Sequence, residues 1–478
     1  MNARVWITVA FGLLSACADD GGGGDSAATG GQAGGGRPAS GGRAQSGGSP
    51  TGGARAGAGG AATGGVASGG FPTGGSATGG VSGGTGGVSA TGGAVATGGK
   101  AASTGGASAT GGASATGGAS PTGGVSATGG AVATGGTATS GGAPACIART
   151  GTSTRPQLAR DDASDFTIAK YLGAGGSAWD PTAGLGDAAD FEPDFTVAAD
   201  GSGTHTTVQA ALTAAAQGTE RRYVLVKPGT YREVVSLTGS TPITLYGAGS
   251  DASAVVIVNG RSAGDAGGTG ASATFTSKAP GLQLKNLTVS NDFATPASGN
   301  NLQAVALYVS GDQTVLENVR LHGFQDTFYA DSSSPTAIAR IYVKSSFIEG
   351  DTDFIFGRAV LVIDGGTIHY LSSRKGTGAG VHFAPSTHVD NPYGFLAIGV
   401  SFTADGSAPQ NKISLGRSWD QSSTSPTPNG QAVVRESTLG AHISKTAPWA
   451  AAATSGRAYS ATGNRFNEYC NGGPGAGP

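Results

Sequence analysis

The sequence predicts an all-β fold for residues 146–478, a right-handed parallel β-helix (solenoid) with a short N-terminal capping helix. Short stretches rich in β-branched and aromatic residues follow one another from Tyr223 to Glu436, each bounded by Gly, Asn, Asp or Pro. Few connections between them have the tight two-residue form that joins antiparallel strands, which disfavours a sandwich. Short polar runs also recur at a coarse period. Gln303 to Gln325 is 22 residues and Asp326 to Asp353 is 27, sizes that suit one coil per repeat.

Taken in order, the chain opens with a short apolar stretch. Arg4 precedes Val5 to Leu14, which suits a signal-peptide core and is too short to span a bilayer. Leu14-Ser15-Ala16-Cys17 looks like a bacterial lipobox, so residues 1–17 are expected to be a lipoprotein signal with Cys17 acylated; the alternative is an ordinary secretory signal. Ala18 follows the cysteine where an Asp would argue for inner-membrane retention. An outer-membrane or cell-surface lipoprotein is expected, with secretion as the alternative. Residues 18–145 hold much of the chain's 90 glycines in Ala-Thr-Gly-Gly units. With almost no apolar bulk to offset chain entropy, they read as a disordered tether. They lack the aspartates of a calcium-binding glycine repeat.

Composition turns globular from Arg155. Phe166 to Leu172 has helical spacing, Trp179-Asp180-Pro181 enters a loop, Phe195 to Val197 reads as a strand and Asp200 to Gly203 as a turn. Thr207 to Ala216 is the best helix, placed to cap the first coil as a solenoid's end requires. Strands are expected at Tyr223–Val226, Ile243–Tyr246, Val255–Val258, Leu282–Val289 and Val305–Val309. They continue at Val315–Val319, Ile338–Val343, Val360–Ile363, Phe395–Phe402 and Val433–Glu436. Cys146 and Cys470 bracket this region; in an exported chain they could form a disulfide or remain free thiols. A net charge of −2 gives no basic footprint, so nucleic acid is not an expected partner.

Equivalent positions on adjacent coils of such a solenoid stack about 4.8 Å apart. Gln303 with Gln325 and Asp326 with Asp353 would then lie side by side on one face. Neighbouring carboxylates resist ionising together, which leaves a proton donor beside an ionised partner. That is nucleophile and acid/base chemistry without a metal or cofactor.

These residues sit in runs that resemble one family. Gly229-Thr230-Tyr231-Arg232-Glu233, Gln303 to Leu307, Gln325-Asp326-Thr327, Gly350 to Gly357 and Leu415 to Trp419 together resemble the pectinesterases (pectin methylesterases). The resemblance spans about Arg155 to Tyr469, and Phe383-Ala384-Pro385 and Gly394 to Ala397 resemble a bacterial outer-membrane lipoprotein branch. It implies that Asp353 is the nucleophile, Asp326 the general acid/base, Gln303 and Gln325 the oxyanion donors, and Arg417 the group orienting Asp353. Tyr329, Phe356 and Trp419 would be substrate-binding aromatics. The implied partner is methyl-esterified pectin, with the membrane reached through the lipid anchor and a monomer as the default. Ser418 stands where Pro is usual and Phe328 where Leu is common, and the Asp–Asp interval implies an inserted loop around Asp331 to Thr336.

Asp351 reads as structural. Gly260-Arg261-Ser262-Ala263-Gly264 fits a serine-hydrolase elbow, but a glycine-rich loop is expected after it where that chemistry needs a helix. The six histidines show no zinc-ligand spacing, and four of them, near strands or turns, read as ordinary surface or packing residues. A calcium-dependent lyase on the same fold would show clustered aspartates. Two alternatives of other classes remain: a non-catalytic surface polysaccharide-binding lipoprotein and a thioesterase acting on acyl thioesters.

Overall fold

Three parallel sheets run along one axis in the computed structural model, which describes residue 146 and residues 149–293, 301–374, 380–421 and 427–477. The signal segment, Cys17 and the glycine-rich region lie outside the described residues. The first sheet carries Phe195–Val197, Arg222–Val226 and Ile243–Gly247, then the leading halves of Gln283–Asn291 and Thr314–His322. It continues through Arg340–Lys344, Val360–Asp364, Phe395–Ile398, Gln431–Arg435 and Arg465–Tyr469. The second carries Gly229–Arg232, Val255–Asn259, the trailing halves of the two long strands, Phe347–Gly350, Thr367–Tyr370, Ser401–Ala404 and Thr438–Leu439. The third runs Val235–Leu237, Phe275–Ser277, Leu307–Val309, Phe328–Ala330, Thr352–Gly357, Val381–Pro385, Ser414–Arg417 and Trp449–Ala450. The coil is the predicted right-handed β-helix, and all paired strands among the described residues are parallel.

The corner between the first two sheets explains several boundaries. Asn286, Asn318, Ser345, Gly365, Gly399, Glu436 and Cys470 follow in-register residues of consecutive coils, and all have φ between 47° and 67°. Left-handed backbone turns the chain in one step, and Asn and Gly tolerate it best. Asn318 Nδ2 donates to Asn286 Oδ1 at 2.8 Å, linking two rungs. The single strand expected over Phe395–Phe402 is therefore two strands, broken at Gly399 with φ 65°.

Inside the coil, side chains of like position stack. Val224, Leu245, Leu284, Leu316, Val343, Ile363, Ala397 and Val434 form one aliphatic row on the first sheet. The next member is Glu468, fully buried, and the N-terminal segment closes the row at that point. Arg155 Nη2 donates to Glu468 Oε2 at 2.8 Å, and its Nη1 donates to the carbonyls of Ser444, Lys445 and Gly475. Cys146 and Cys470 are disulfide-bonded at the same end, with Cα atoms 4.9 Å apart. From there the chain passes over the outer face of the first sheet. The helix Ile168–Leu172 buries Tyr171 and Leu172 among Val360, Val362, Leu396 and Val433, and Gln431 Nε2 donates to the Tyr171 hydroxyl at 2.8 Å. The helical reading of Phe166–Leu172 thus holds for its last five residues.

At the opposite end the helix Val208–Ala215 covers the first coil with Val208, Ala211, Leu212 and Ala215. The Thr207 side chain accepts from Ala210 N, and the Glu233 carboxylate accepts from Val208 N and Gln209 N at 2.9 Å each. A carboxylate on these unpaired N–H groups complements the helix dipole. Ser262 corrects an expectation. The segment after it is a short helix, Ala263–Ala266, and Ser262 caps it reciprocally with Asp265. A hydroxyl committed to a capping box is a structural element.

Two histidines are core residues. His382 Nδ1 donates to the Ser414 carbonyl at 2.7 Å, and its ring packs 5.5 Å from that of His442 and 5.2 Å from that of Phe354. Burial pushes His382 down to about 3 and His442 to about 4, from an ordinary 6.5. The unfolded chain therefore takes up protons that the folded chain refuses. The stability they contribute is complete above pH 6.5 and is lost as pH falls from 6.5 toward 4 and then 3, at up to about 1.4 kcal/mol per pH unit for each. His382→Asn is expected to flatten the fall of the urea midpoint between pH 7 and 4.5; curves parallel to the parent's would remove His382 from the acid response.

Candidate active site

Register brings the polar runs together on the third sheet. Phe328 pairs with Ile355 and Tyr329 with Phe356, and the same offset continues back through Gln325 with Thr352. Asp326 N donates to Thr352 O at 3.1 Å, so Asp326 and Asp353 occupy equivalent places on consecutive coils. Gln303 reaches Gln325 by a different route. Leu307 pairs with Phe328, an offset one residue shorter than the glutamine spacing. The difference is absorbed where Ala306 N and Leu307 N both donate to Thr327 O, at 2.9 and 3.2 Å. A bulge of this kind re-aims the side chains before it. A second register shift lies between Thr352 and Ile355 against the following coil.

Both aspartates sit in left-handed backbone, Asp326 at φ 66° and Asp353 at φ 48°. Such conformations cost about 1 kcal/mol or more for a residue with a Cβ, and here they recur one coil apart at the two carboxylates. Both residues are fully buried, and Gln303 and Gln325 are 2% exposed. Arg417 Nε donates to Asp353 Oδ1 at 2.8 Å and Nη2 to Oδ2 at 2.5 Å. This fork fixes both carboxylate oxygens in one plane. Gln303 Oε1 and Gln325 Nε2 are buried with no partner among the described residues, so both amides have hydrogen-bonding capacity to spare inside the site.

Of the supporting residues, the sequence marks Asp351 as structural, while Arg374, Asn291 and Ser272 carry no such signal. Asp351 is fully buried, and Arg374 forks it at 2.6 and 2.7 Å while lying over the Phe324 ring. Asp351 N donates to Phe324 O at 2.9 Å, so this pair braces the turn into Gln325 and Asp326. Asn291 Nδ2 donates to the carbonyls of Arg261, Ser272 and Val305, and Ser272 Oγ accepts from Val305 N, fixing the strand that follows Gln303. Two of the three expected aromatics join a stack that also includes Tyr308. Tyr308, Tyr329 and Phe356 lie face to face with centroids 4.4 and 4.3 Å apart, and Trp419 stands edge-on to Tyr329 and Phe356. Phe356 is fully buried beneath its neighbours, while Tyr308 and Tyr329 line an adjoining groove of about 640 Å³. Tyr308 could have been found in the sequence, since one coil separates it from Tyr329. The loop predicted from Asp331 onward lies between Phe328–Ala330 and Arg340–Lys344, and Asp312 in the preceding coil takes the Arg340 guanidinium. Among the described residues, no group of three or more His, Cys, Asp or Glu side chains is arranged to hold a metal.

Known proteins resemble this chain in sequence and in fold. The pectinesterase family model matches residues 194–478. A pectinesterase of Ralstonia solanacearum is 43% identical, over 70% of this chain and 95% of the relative. The solved rice weevil pectin methyl esterase is 32% identical with a TM-score of 0.61, covering 69% of this chain and 100% of that one. Escherichia coli YbhC, named a putative acyl-CoA thioester hydrolase, is 34% identical over 65% of this chain and 81% of its own. Matched by the family model over residues 194–478 and by relatives over most of their own length, the chain belongs to the pectinesterase family of carbohydrate esterases.

Proposed function

We propose that the protein removes methyl esters from pectin, with Asp353 as nucleophile and Asp326 as general acid and base. The observation that carries this reading is the pair of buried aspartates on consecutive coils, both in left-handed backbone, one of them forked by Arg417. An Asp353 oxygen attacks the ester carbonyl of a galacturonate unit, and the carbonyl electrons move onto its oxygen. The Gln325 amide N–H, together with the Gln303 amide, stabilises that oxyanion. Collapse expels the methoxy group, which takes a proton from Asp326 and leaves as methanol. Asp326, now ionised, removes a proton from water as the water attacks the acyl-aspartate. Breakdown of this second intermediate frees a galacturonate carboxylate and restores Asp353. No metal or cofactor enters any step. Arg417 holds the Asp353 oxygens in place throughout, and the Asp351–Arg374 pair keeps the Gln325–Asp326 turn from shifting.

Gln325→Ala is expected to lower kcat for methanol release from highly methylated pectin by about 100- to 1000-fold, with KM little changed. A loss confined to KM would assign Gln325 to ground-state binding. The name of the YbhC relative motivates a second substrate in the same assay, a short-chain acyl thioester. Thioester cleavage without methanol release would replace the pectin reading. Pectin binding with neither reaction would make the protein a polysaccharide-binding lipoprotein.

A further inference from the structure

Arg417 is the last residue of its strand and pairs with Ala450, so the backbone that aims its guanidinium at Asp353 is about to leave the ladder. A bidentate fork tolerates little drift, and strand ends fray unless the chain beyond them is held. Here it is held at every step. Ser418 is fully buried, its carbonyl accepting from Ala453 N at 2.8 Å and its hydroxyl from Gly430 N at 2.9 Å. Trp419 N donates to Pro385 O at 2.9 Å. The proline that the motif leads one to expect at position 418 would stiffen the chain through its ring and would carry no hydroxyl. Hydrogen bonds replace that ring.

The next charged side chain is Asp420, which is 1% exposed. Arg457 forks it, Nε donating to Oδ2 at 2.8 Å and Nη2 to Oδ1 at 2.9 Å, and Ser455 Oγ donates to Oδ2 at 2.6 Å. The Ser418 hydroxyl is a further partner. Burial opposes the Asp420 charge, but the bonds from Arg457, Ser455 and Ser418 hold its carboxyl below the usual carboxylate range. Arg457 itself sits in a closed turn, where Ala452 N donates to the Arg457 carbonyl at 2.9 Å and Gly456 N to the Ala452 carbonyl at 3.2 Å. Two buried Asp–Arg forks thus meet in one short segment. One holds Asp353, and the other braces the chain that supplies its arginine. A continuous line of contacts runs from Arg457 through Asp420 and Ser418 to Arg417 and Asp353.

We propose that Asp420 and Arg457 are positioning residues, a clamp that sets the aim of Arg417 through Ser418 and so governs turnover at Asp353. The proposal rests on the esterase reading. The test measures methanol release by the full-length protein and its Asp420→Asn, Arg457→Gln and Arg457→Lys variants, each made also on an Arg417→Lys background. In the parent background Asp420→Asn and Arg457→Gln are expected to lower kcat by about tenfold with KM nearly unchanged, as misalignment of a reacting group does. Arg457→Lys keeps a cation on Asp420 and is expected to recover most of that loss. On Arg417→Lys, which has no fork to misalign, Asp420→Asn and Arg457→Gln are expected to cost less than about twofold. A clamp that only supports the fold would lower the melting temperature and leave kcat intact, or would cost the same in both backgrounds. Either result overturns the proposal, as does a loss confined to KM. The Arg457 side chain is 37% exposed, so its variants answer even if Asp420→Asn fails to fold. Should the parent release no methanol, the esterase reading fails by itself, and the same cycle read on the free energy of unfolding decides the clamp. Coupling between positions 417 and 420 supports it, and additive effects overturn it.

Discussion

Asp353→Asn is expected to lower kcat for methanol release by on the order of 10,000-fold or more while the protein still binds pectin. Asparagine preserves the shape of the side chain and removes the nucleophilic charge. It is a better probe than alanine because the backbone at Asp353 has φ 48°, which asparagine tolerates and alanine resists by about 1 kcal/mol. The neutral amide also leaves Arg417 facing an uncharged partner, so thermal unfolding should be recorded beside the kinetics. Retention of more than roughly a tenth of the parent's turnover by a folded variant would move the nucleophile elsewhere. The scale of the loss follows from chemistry: without the first covalent step, only the binding groove and the two amides remain to accelerate attack by water.

The second large effect concerns stability. The bond between Cys146 and Cys470 closes a loop with a sequence separation of 324. Chain entropy for a loop of that length corresponds to on the order of 5 kcal/mol of stabilisation, by restricting the unfolded chain. Replacing both cysteines with serine is expected to lower the free energy of unfolding by several kcal/mol, read as a lower guanidinium midpoint. Methanol release at room temperature should persist, since the bond lies at the far corner of the last coil and touches no site residue. An unchanged midpoint would mean that Arg155 and its partners alone hold the N-terminal segment.

The carboxylates were legible because spacing and motif pointed to the same positions, whereas their backbone was not. Nothing in the runs around Asp326 and Asp353 signals left-handed backbone at both aspartates, since the usual cue for φ > 0 is glycine. The strands of the third sheet were mostly missed for a related reason. Val235–Leu237, Phe275–Ser277, Ser414–Arg417 and Trp449–Ala450 are two to four residues long, and Ser414–Arg417 holds a glycine. They are held by their neighbours along the axis more than by their own preference. The extra residue between Gln303 and Gln325 looked like part of a plain repeat and is a bulge. Arg374 gave no signal because its partner Asp351 is distant in sequence and near only after coiling. Ser262 misled in the other direction: the helix that the sequence did not show is present, and the serine belongs to its cap.

A stack of coils normally behaves as a one-dimensional chain of neighbours, in which each coil feels only the next and the terminal ones open first. The segment from Cys146 to Tyr171 changes that connectivity. It is bonded to the last coil at Cys470 and Glu468, and it lies across strands of the middle coils at Val360, Val362 and Leu396 before entering the first coil. Opening the last coil therefore requires releasing a strip that also rests on its predecessors. Hydrogen exchange should accordingly find the C-terminal coil protected to nearly the same degree as the coil carrying the aspartates, a linear array made to melt as a unit.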